Sequence, residues 1–295
     1  MELLFSLQAD SGAFQSTVHM GETSLHDYNG FVTALVLREL ETFAGLDQWA
    51  EPLGRALSFL EKCESPLRPG FFAFWPRNQW PVWAPQVLED ADDTAAMASE
   101  LFYYGRIDLE KAQFIASAAL IPYRLEIVPE ALDQPWIRPG AFLTWLHPRC
   151  VPNPIDCVVN VNVLAFLAQA EFASQPGYIE ACQMVLDGIA WSARRWEHVD
   201  QLSPYYPEAS ELALALKNAV RKGAADLRVC LEALEQFPVA RPGNDPSKVL
   251  FSVADRATLW SSTALWAARQ LAVGAPSSQT VLDSRTSVCQ YGKPY

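Results

Sequence analysis

The feature that most constrains this 295-residue chain is a weak internal repeat with a period near sixty residues. The first unit reads Gly12-Ala-Phe14, then Asp27-Tyr-Asn29-Gly-Phe-Val-Thr-Ala-Leu. The second reads Gly70-Phe-Phe-Ala-Phe-Trp75, then Asp90-Ala-Asp-Asp-Thr-Ala. The third reads Gly140-Ala-Phe-Leu-Thr-Trp145, then Asp156-Cys-Val-Val-Asn160-Val-Asn162. In each, a glycine-aromatic turn leads through a loop to an Asp that opens an apolar helix, and these Asp residues stand 63 and 66 positions apart. Two looser copies follow: Ser203-Pro-Tyr-Tyr-Pro-Glu208 before a helix at Ala209–Val220, and Leu250-Phe-Ser-Val-Ala-Asp255 before a helix at Arg256–Ala272.

The helix after each opening is apolar nearly all round, the pattern of a helix buried on every side. Between the openings lie more amphipathic segments, near 47–62, 108–120, 178–196 and 223–236. Buried helices alternating with amphipathic ones predict an all-α fold, a single α/α toroid built as a barrel of helical hairpins with about five inner helices. Convincing period-two strands are absent; Arg124-Leu-Glu-Ile-Val is the best candidate and it is short. The Pro-rich stretches Pro66–Pro85, Pro135–Pro154 and Pro238–Pro246 fall at repeat joints and read as rim loops. Residues 1–295 therefore form one expected domain, with openings near 27, 90, 156, 205 and 255 and with 275–295 as a loose C-terminal extension. Parallel inner helices would bring all five openings to one cavity mouth.

Half of the residues are hydrophobic and 12% are aromatic, enough for a large core. The longest apolar runs are interrupted by polar residues, and none reaches the roughly 18 to 20 needed for a membrane span. The N-terminus lacks a basic region and a cleavage site, so a cytoplasmic location is expected. A net charge of −12 argues against nucleic acid and anionic membrane surfaces. The six cysteines show neither a paired nor a metal-ligand spacing. Neither a structural metal nor a redox cofactor is implied.

Asp90, Asp92 and Asp93 place three carboxylates within four positions at a helix start. A helix needs one Asp as its N-cap, and like charges this close favour at least one retained proton. The same residues follow an aromatic-rich loop with Phe71, Phe72, Phe74, Trp75, Trp80 and Trp83. A protonated carboxyl facing aromatic walls suits the generation and guidance of carbocations: the acid starts the reaction, and ring faces stabilise positive charge without attacking it. Candidate wall residues are Trp75, Trp80, Trp83, Tyr103, Trp145 and Phe166. Each also reads as ordinary packing.

Asp90-Ala-Asp92-Asp93-Thr94-Ala95 resembles the DxDDTA motif of class II terpene cyclases such as squalene–hopene cyclase. The glycine-aromatic-tryptophan turns resemble the repeats of the wider terpenoid cyclase and prenyltransferase superfamily, whose members are α/α toroids. The resemblance implies that Asp92 is the general acid, that Asp90 and Asp93 orient and acidify it, and that the substrate is a small hydrophobic, alkene-bearing molecule undergoing cyclisation or isomerisation. The family normally builds its site between two toroidal domains, and this chain has room for one. A partner copy in a homodimer would replace the second; otherwise the cavity lies inside the single ring. Magnesium enters only if the substrate carries a diphosphate.

Further substrate-binding candidates are Asp27, Asn29, Asp156, Asn160, Asn162, Asp255 and His147, all at or near the helix openings. Helix capping explains Asp27, Asp255 and Asp156 equally well. Arg77, Arg138 and Arg149 lie in the rim loops and read either as anion ligands or as solvated charges. Two other classes share the scaffold. An α/α-barrel glycoside hydrolase or lyase would pair Asp92 with Asp27 or Asp156, and a non-catalytic toroid would bind a small ligand or a protein with no chemistry.

Overall fold

The computed structural model describes residues 1–84, 88–130, 132, 134–150, 153–193, 196–238, 245–253 and 255–274. The expected extension at 275–295 lies outside the described residues. The fold is mostly helical: α1 Glu2–Ser6, α2 Gly30–Glu39, α3 Asp47–Cys63, α4 Ala91–Tyr103, α5 Leu109–Ile115, α6 Cys157–Gln169, α7 Tyr178–Ser192, α8 Ala209–Arg221, α9 Arg228–Leu234 and α10 Thr263–Gly274. Helices α2, α4 and α6 are buried almost along their length. They pack side by side, α10 against α2, α2 against α4, α4 against α6, α6 against α8. The amphipathic α3, α5, α7 and α9 contribute the apolar faces that cover this row. Arg269 of α10 grips Glu211 of α8 with two hydrogen bonds of 2.8 and 2.7 Å.

The repeat has a common hydrogen-bonded joint. Gly12, Gly70 and Gly140 all adopt left-handed backbone, with φ of +98°, +88° and +94°, which favours glycine. Two residues on, the buried N–H of Phe14, Phe72 and Phe142 donates to Thr33, Thr94 and Asn160, at 3.0, 3.1 and 2.8 Å. Each acceptor sits four residues after the helix N-cap, which is Asn29, Asp90 and Asp156 respectively. The first helix is thus opened by Asn29, whose Oδ1 accepts from Val32 N at 2.7 Å, and not by Asp27. Gly12 also lies against α3, where an added Cβ would stand 2.1 Å from Arg55 O. Gly12→Ala combines that clash with a left-handed φ, and we expect a loss of about 2 kcal/mol or more, read as a lower denaturant midpoint at unchanged slope.

The all-helical expectation is corrected by a four-stranded antiparallel sheet: β1 Gln15–Met20, β2 Thr23–Tyr28, β3 Phe251–Ser252 and β4 Thr258–Ser261, in the order β2-β1-β4-β3. Gly21, with φ +59°, turns β1 into β2. Strand β1 then pairs with β4 from the far end of the chain, Val18 opposite Trp260. Strands β1 and β2 carry few apolar residues to alternate, and β3 and β4 are too short to show a period. Asp255, expected to open the last helix, sits instead in the β3–β4 turn, where its Oδ1 accepts from Ala257 N at 2.9 Å. The helix begins at Thr263 because residues 258–261 are spent as a strand. The expected strand at Arg124 is a single bridge to Phe142.

Candidate active site

The three acids sit at the N-terminus of α4. Asp90 is its N-cap in extended backbone, and its Oδ1 accepts from Asp93 N at 2.7 Å. Its chain neighbours are strapped to the third glycine-aromatic turn, Ala91 N donating to Thr144 O at 2.8 Å and Leu146 N to Glu89 O at 3.1 Å. One helical turn then aims Asp92 and Asp93 inward, both buried.

Above them is a cavity of about 350 Å³, within the range that holds a small organic ligand. Its floor is Asp90, Asp92 and Asp93, and its walls are mostly aromatic: Phe31 from α2, Phe74 and Trp75 from the second turn, Trp145 from the third, Tyr205 and Tyr206 from the fourth opening, Phe251 and Trp260 from the sheet. The rings meet largely edge to face, Phe74 against Trp260 at 5.6 Å and Phe31 against Phe251 at 5.3 Å.

Asp92 is the most completely held of the acids. Its Oδ1 accepts from Asn162 Nδ2 at 2.7 Å, and its Oδ2 takes the Tyr206 hydroxyl. Burial pushes its carboxyl above the ordinary range, while Tyr206, Asn162 and then Arg38 pull it back. Asp93 has an Oδ2 with no hydrogen-bond partner among the described residues. Burial, reinforced by Asp90 and Asp92, lifts Asp93 well above its usual range. Burial and then Asp92 push Asp90 up to about 8, against the backbone N–H groups of Asp93 and Asp92. At about 8, Asp90 holds its proton at neutral pH. Burial likewise lifts Asp156 to about 7, although it receives N–H groups from Val158, Val159 and Tyr205.

Of the residues expected from sequence, Asp90, Asp92, Asp93, Trp75 and Trp145 line the cavity, and Asn162 bonds Asp92. Asp27 lies behind the walls. It accepts from the indole N–H of Trp75 at 2.8 Å and of Trp260 at 3.0 Å, so it fixes two wall rings. Asn29 donates to Asp27 at 2.8 Å while capping α2. Asp156 caps α6 and carries the Tyr205 backbone. Asn160 is consumed by both backbone groups of Phe142. Trp83 stacks edge-on against Trp75 at 5.7 Å, behind the lining. Phe166 is interior to α6. His147 accepts from Arg149 N within its own loop.

Tyr103 lies at the opposite end of α4 from Asp92, roughly 16 Å away at 1.5 Å per residue. It is half exposed, with Lys222 Nζ 4.4 Å over its ring. Arg138 pairs with Asp187, away from the cavity. Asp255 does not reach the cavity, as described above. The aromatic lining residues not named as wall candidates from sequence are Phe31, Phe74, Tyr205, Tyr206, Phe251 and Trp260. For the two tyrosines the signal was present, since they form the centre of the degenerate fourth opening. Among the described residues no group of three or more His, Cys, Asp or Glu side chains is arranged to hold a metal ion, and no helix is long and apolar enough to cross a membrane.

No protein-family model matches the chain, and no curated protein matches it significantly. Solved structures show a distant likeness. A single-site variant of the type II terpene cyclase MstE from Scytonema, in complex with its substrate geranylgeranyl dihydroxybenzoate, is 15% identical with a TM-score of 0.45, covering 92% of this chain and 93% of that one. The apo MstE structure is 15% identical with a TM-score of 0.44, covering 92% and 94%. Another variant, in complex with the product merosterolic acid A, is 15% identical with a TM-score of 0.43, covering 92% and 93%. Likeness of this degree carries no argument about chemistry, which has to stand on the side chains.

Proposed function

We propose that this chain is a small terpenoid-cyclase-like enzyme that performs proton-initiated cyclisation or isomerisation of an isoprenoid or other alkene-bearing small molecule, with Asp92 as the general acid. The observation that carries this reading is the meeting of three buried carboxyls, each raised above its ordinary range, with an aromatic-walled cavity. Both partners of Asp92 donate to it. The carboxylate left after proton transfer is therefore already solvated by fixed donors, which strengthens the acid at the moment of reaction. Burial disfavours an early loss of that proton, and Asp90 and Asp93, themselves lifted by burial and by Asp92, stand beside it.

The reaction balances within the cavity. The alkene π pair takes the Asp92 proton to form a carbon–hydrogen bond, leaving a cation on the neighbouring carbon. In cyclisation a second double bond attacks that cation and leaves the charge on a further carbon. With or without that step, a proton then leaves the carbon beside the cation and passes to water, and the product is an isomer of the substrate. Each desolvated ring face contributes about 1 to 2 kcal/mol of cation stabilisation. The row from α10 to α8, tied by Arg269 and Glu211, is read as a closed α/α ring enclosing one chamber, so a single chain supplies the whole site. An apolar chamber of this kind disfavours the two-carboxylate glycosidase alternative, which needs a polar cleft.

The test is turnover of a panel of geranyl- and farnesyl-bearing small molecules by the purified chain, with products analysed by mass. Products isomeric with their substrates support the reading, whereas products formed only by hydrolysis, or none across the panel, would count against it. Tyr206→Phe removes one donor from Asp92 and nothing else from the cavity wall. We expect its kcat to fall about 10- to 100-fold with the thermal midpoint nearly unchanged.

A further inference from the structure

Away from the cavity, the same inner helices bury a second set of charges. Arg38 of α2, at 6% exposure, donates from Nη1 to Asn162 Oδ1 at 3.3 Å, and Asn162 is the residue whose amide holds Asp92 at 2.7 Å. Arg38 also shares the wall of a small void with Glu100, two turns along α4 from Asp92, and its charge draws the Glu100 carboxyl down. Glu100 is buried, with Oε1 3.2 Å from Lys222 Nζ and Oε2 lacking a hydrogen-bond partner among the described residues. Lys222 also holds Glu41 at 2.5 Å. Where these groups meet, a void of about 10 Å³ is lined by Arg38, Ser99, Glu100, Asn162 and Asn218. It is about the size of one water molecule.

We propose that Arg38 is a positioning residue for Asp92, acting through Asn162, and that it couples Asp92 to the buried Glu41–Glu100–Lys222 cluster, so that the charge on Glu100 tunes the acid in the cavity. The catalytic meaning of this coupling rests on Asp92 being the acid, but the coupling itself does not. A guanidinium carries its charge throughout the working range, and two buried acids compete for this one. With Glu100 protonated, the field of Arg38 falls more fully on Asp92 and favours its ionisation. With Glu100 ionised, part of that field is cancelled and Asp92 keeps its proton more readily.

Other charged and titratable groups face each acid. Asp92 is faced by Asp90 and Asp93 on its own helix, by Asp156 at the head of α6, and by Tyr206. Glu100 is faced by Lys222, Glu41 and Arg38, with Tyr103 and Tyr104 beside it and Arg221 on the outer oxygen of Glu41. Burial, opposed by Lys222, brings Glu100 to about 7, so the competition is active near neutral pH. Coupling of this kind is reciprocal.

The experiment titrates the full-length chain labelled at the aspartate carboxyl carbon, with Asp92→Asn used to assign the Asp92 signal. Arg38→Met should raise the titration midpoint of Asp92 by about one pH unit, and Glu100→Gln should lower it. Arg38→Lys, which keeps the charge, should fall nearer the wild type than Arg38→Met. Opposite shifts are not produced by a merely structural loss. The proposal is overturned if Asp92 titrates at its wild-type midpoint in folded Glu100→Gln, or if Arg38→Met and Glu100→Gln move it in the same direction. Should Arg38→Met not fold, the near-isosteric Glu100→Gln decides alone. The readout needs no turnover, so failure of the cyclase reading leaves it intact.

Discussion

Asp92→Asn is expected to lower kcat by about 10³-fold or more, to the limit of detection, with helical content and thermal midpoint preserved. The amide is isosteric. Its Oδ1 still accepts from Asn162, and its Nδ2 can donate to the Tyr206 oxygen, so both bonds that hold Asp92 survive. The substitution also removes one of several mutually repelling buried carboxyls, which offsets any small packing cost. What it takes away is the transferable proton, and an amide has no comparable acid to offer. Retained activity would move the proton donor elsewhere in the cluster and sink the assignment.

The second large effect is on stability. Lys222→Met is expected to destabilise the fold by about 3 to 5 kcal/mol, nearer the lower figure because Arg221 remains on Glu41 at 2.5 Å. Lys222 is the only cation among the described residues in salt-bridge contact with both Glu41 and Glu100, at 2.5 and 3.2 Å. Its removal leaves two buried carboxyls facing each other. The sign of the pH dependence follows. Glu100 sits at about 7 in the folded chain, above its ordinary value of 4.5, so its contribution to stability is lost as pH rises through that range. Without Lys222, which lowers it, that folded value climbs further. The deficit should therefore be larger at about pH 8 than at about pH 5, measured by denaturant unfolding of both chains at each pH.

Much of the helical framework was legible from residue pattern, because the buried helices are apolar on every face and each begins with a capping side chain. The outer helix expected at 47–62 is α3, Asp47–Cys63, and the one at 108–120 is α5 with its continuation to Leu120. The register of the first unit was harder. Asp27 and Asn29 are both good N-caps two residues apart, and the bonds from Val32 N to Asn29 and from Phe14 to Thr33 pick Asn29. The local hairpin of β1 and β2 was hidden because its residues are mostly polar. Strands β3 and β4 were hidden because they have two residues and four and because β1 finds β4 across the whole chain. Pairing at that separation leaves no local signature.

The acids at 90, 92 and 93 were conspicuous because a helix start needs only one of them. Asn162 was found for the same kind of reason, as a polar residue in an otherwise apolar helix. Trp260 became a cavity wall only through the sheet and fell out of view with it, while Phe251 stood in the fifth opening, which was read as the start of a helix. Tyr103 was drawn in by its helix and excluded by its position on it: the end of α4 that carries the acids is not the end that carries Tyr103. Asp27 shows a subtler limit, since its place beside the site was visible but its attachment to the indoles of Trp75 and Trp260 was not.

The most direct test of proton-initiated chemistry is turnover of the accepted prenylated substrate in deuterium oxide, with the product examined by mass and by carbon NMR. The account predicts one solvent deuteron bound to carbon at the site of initiation, in a product otherwise isomeric with the substrate, and none in Asp92→Asn. A rearranged product free of carbon-bound deuterium, or deuterium entering at an undiminished rate in Asp92→Asn, would contradict it.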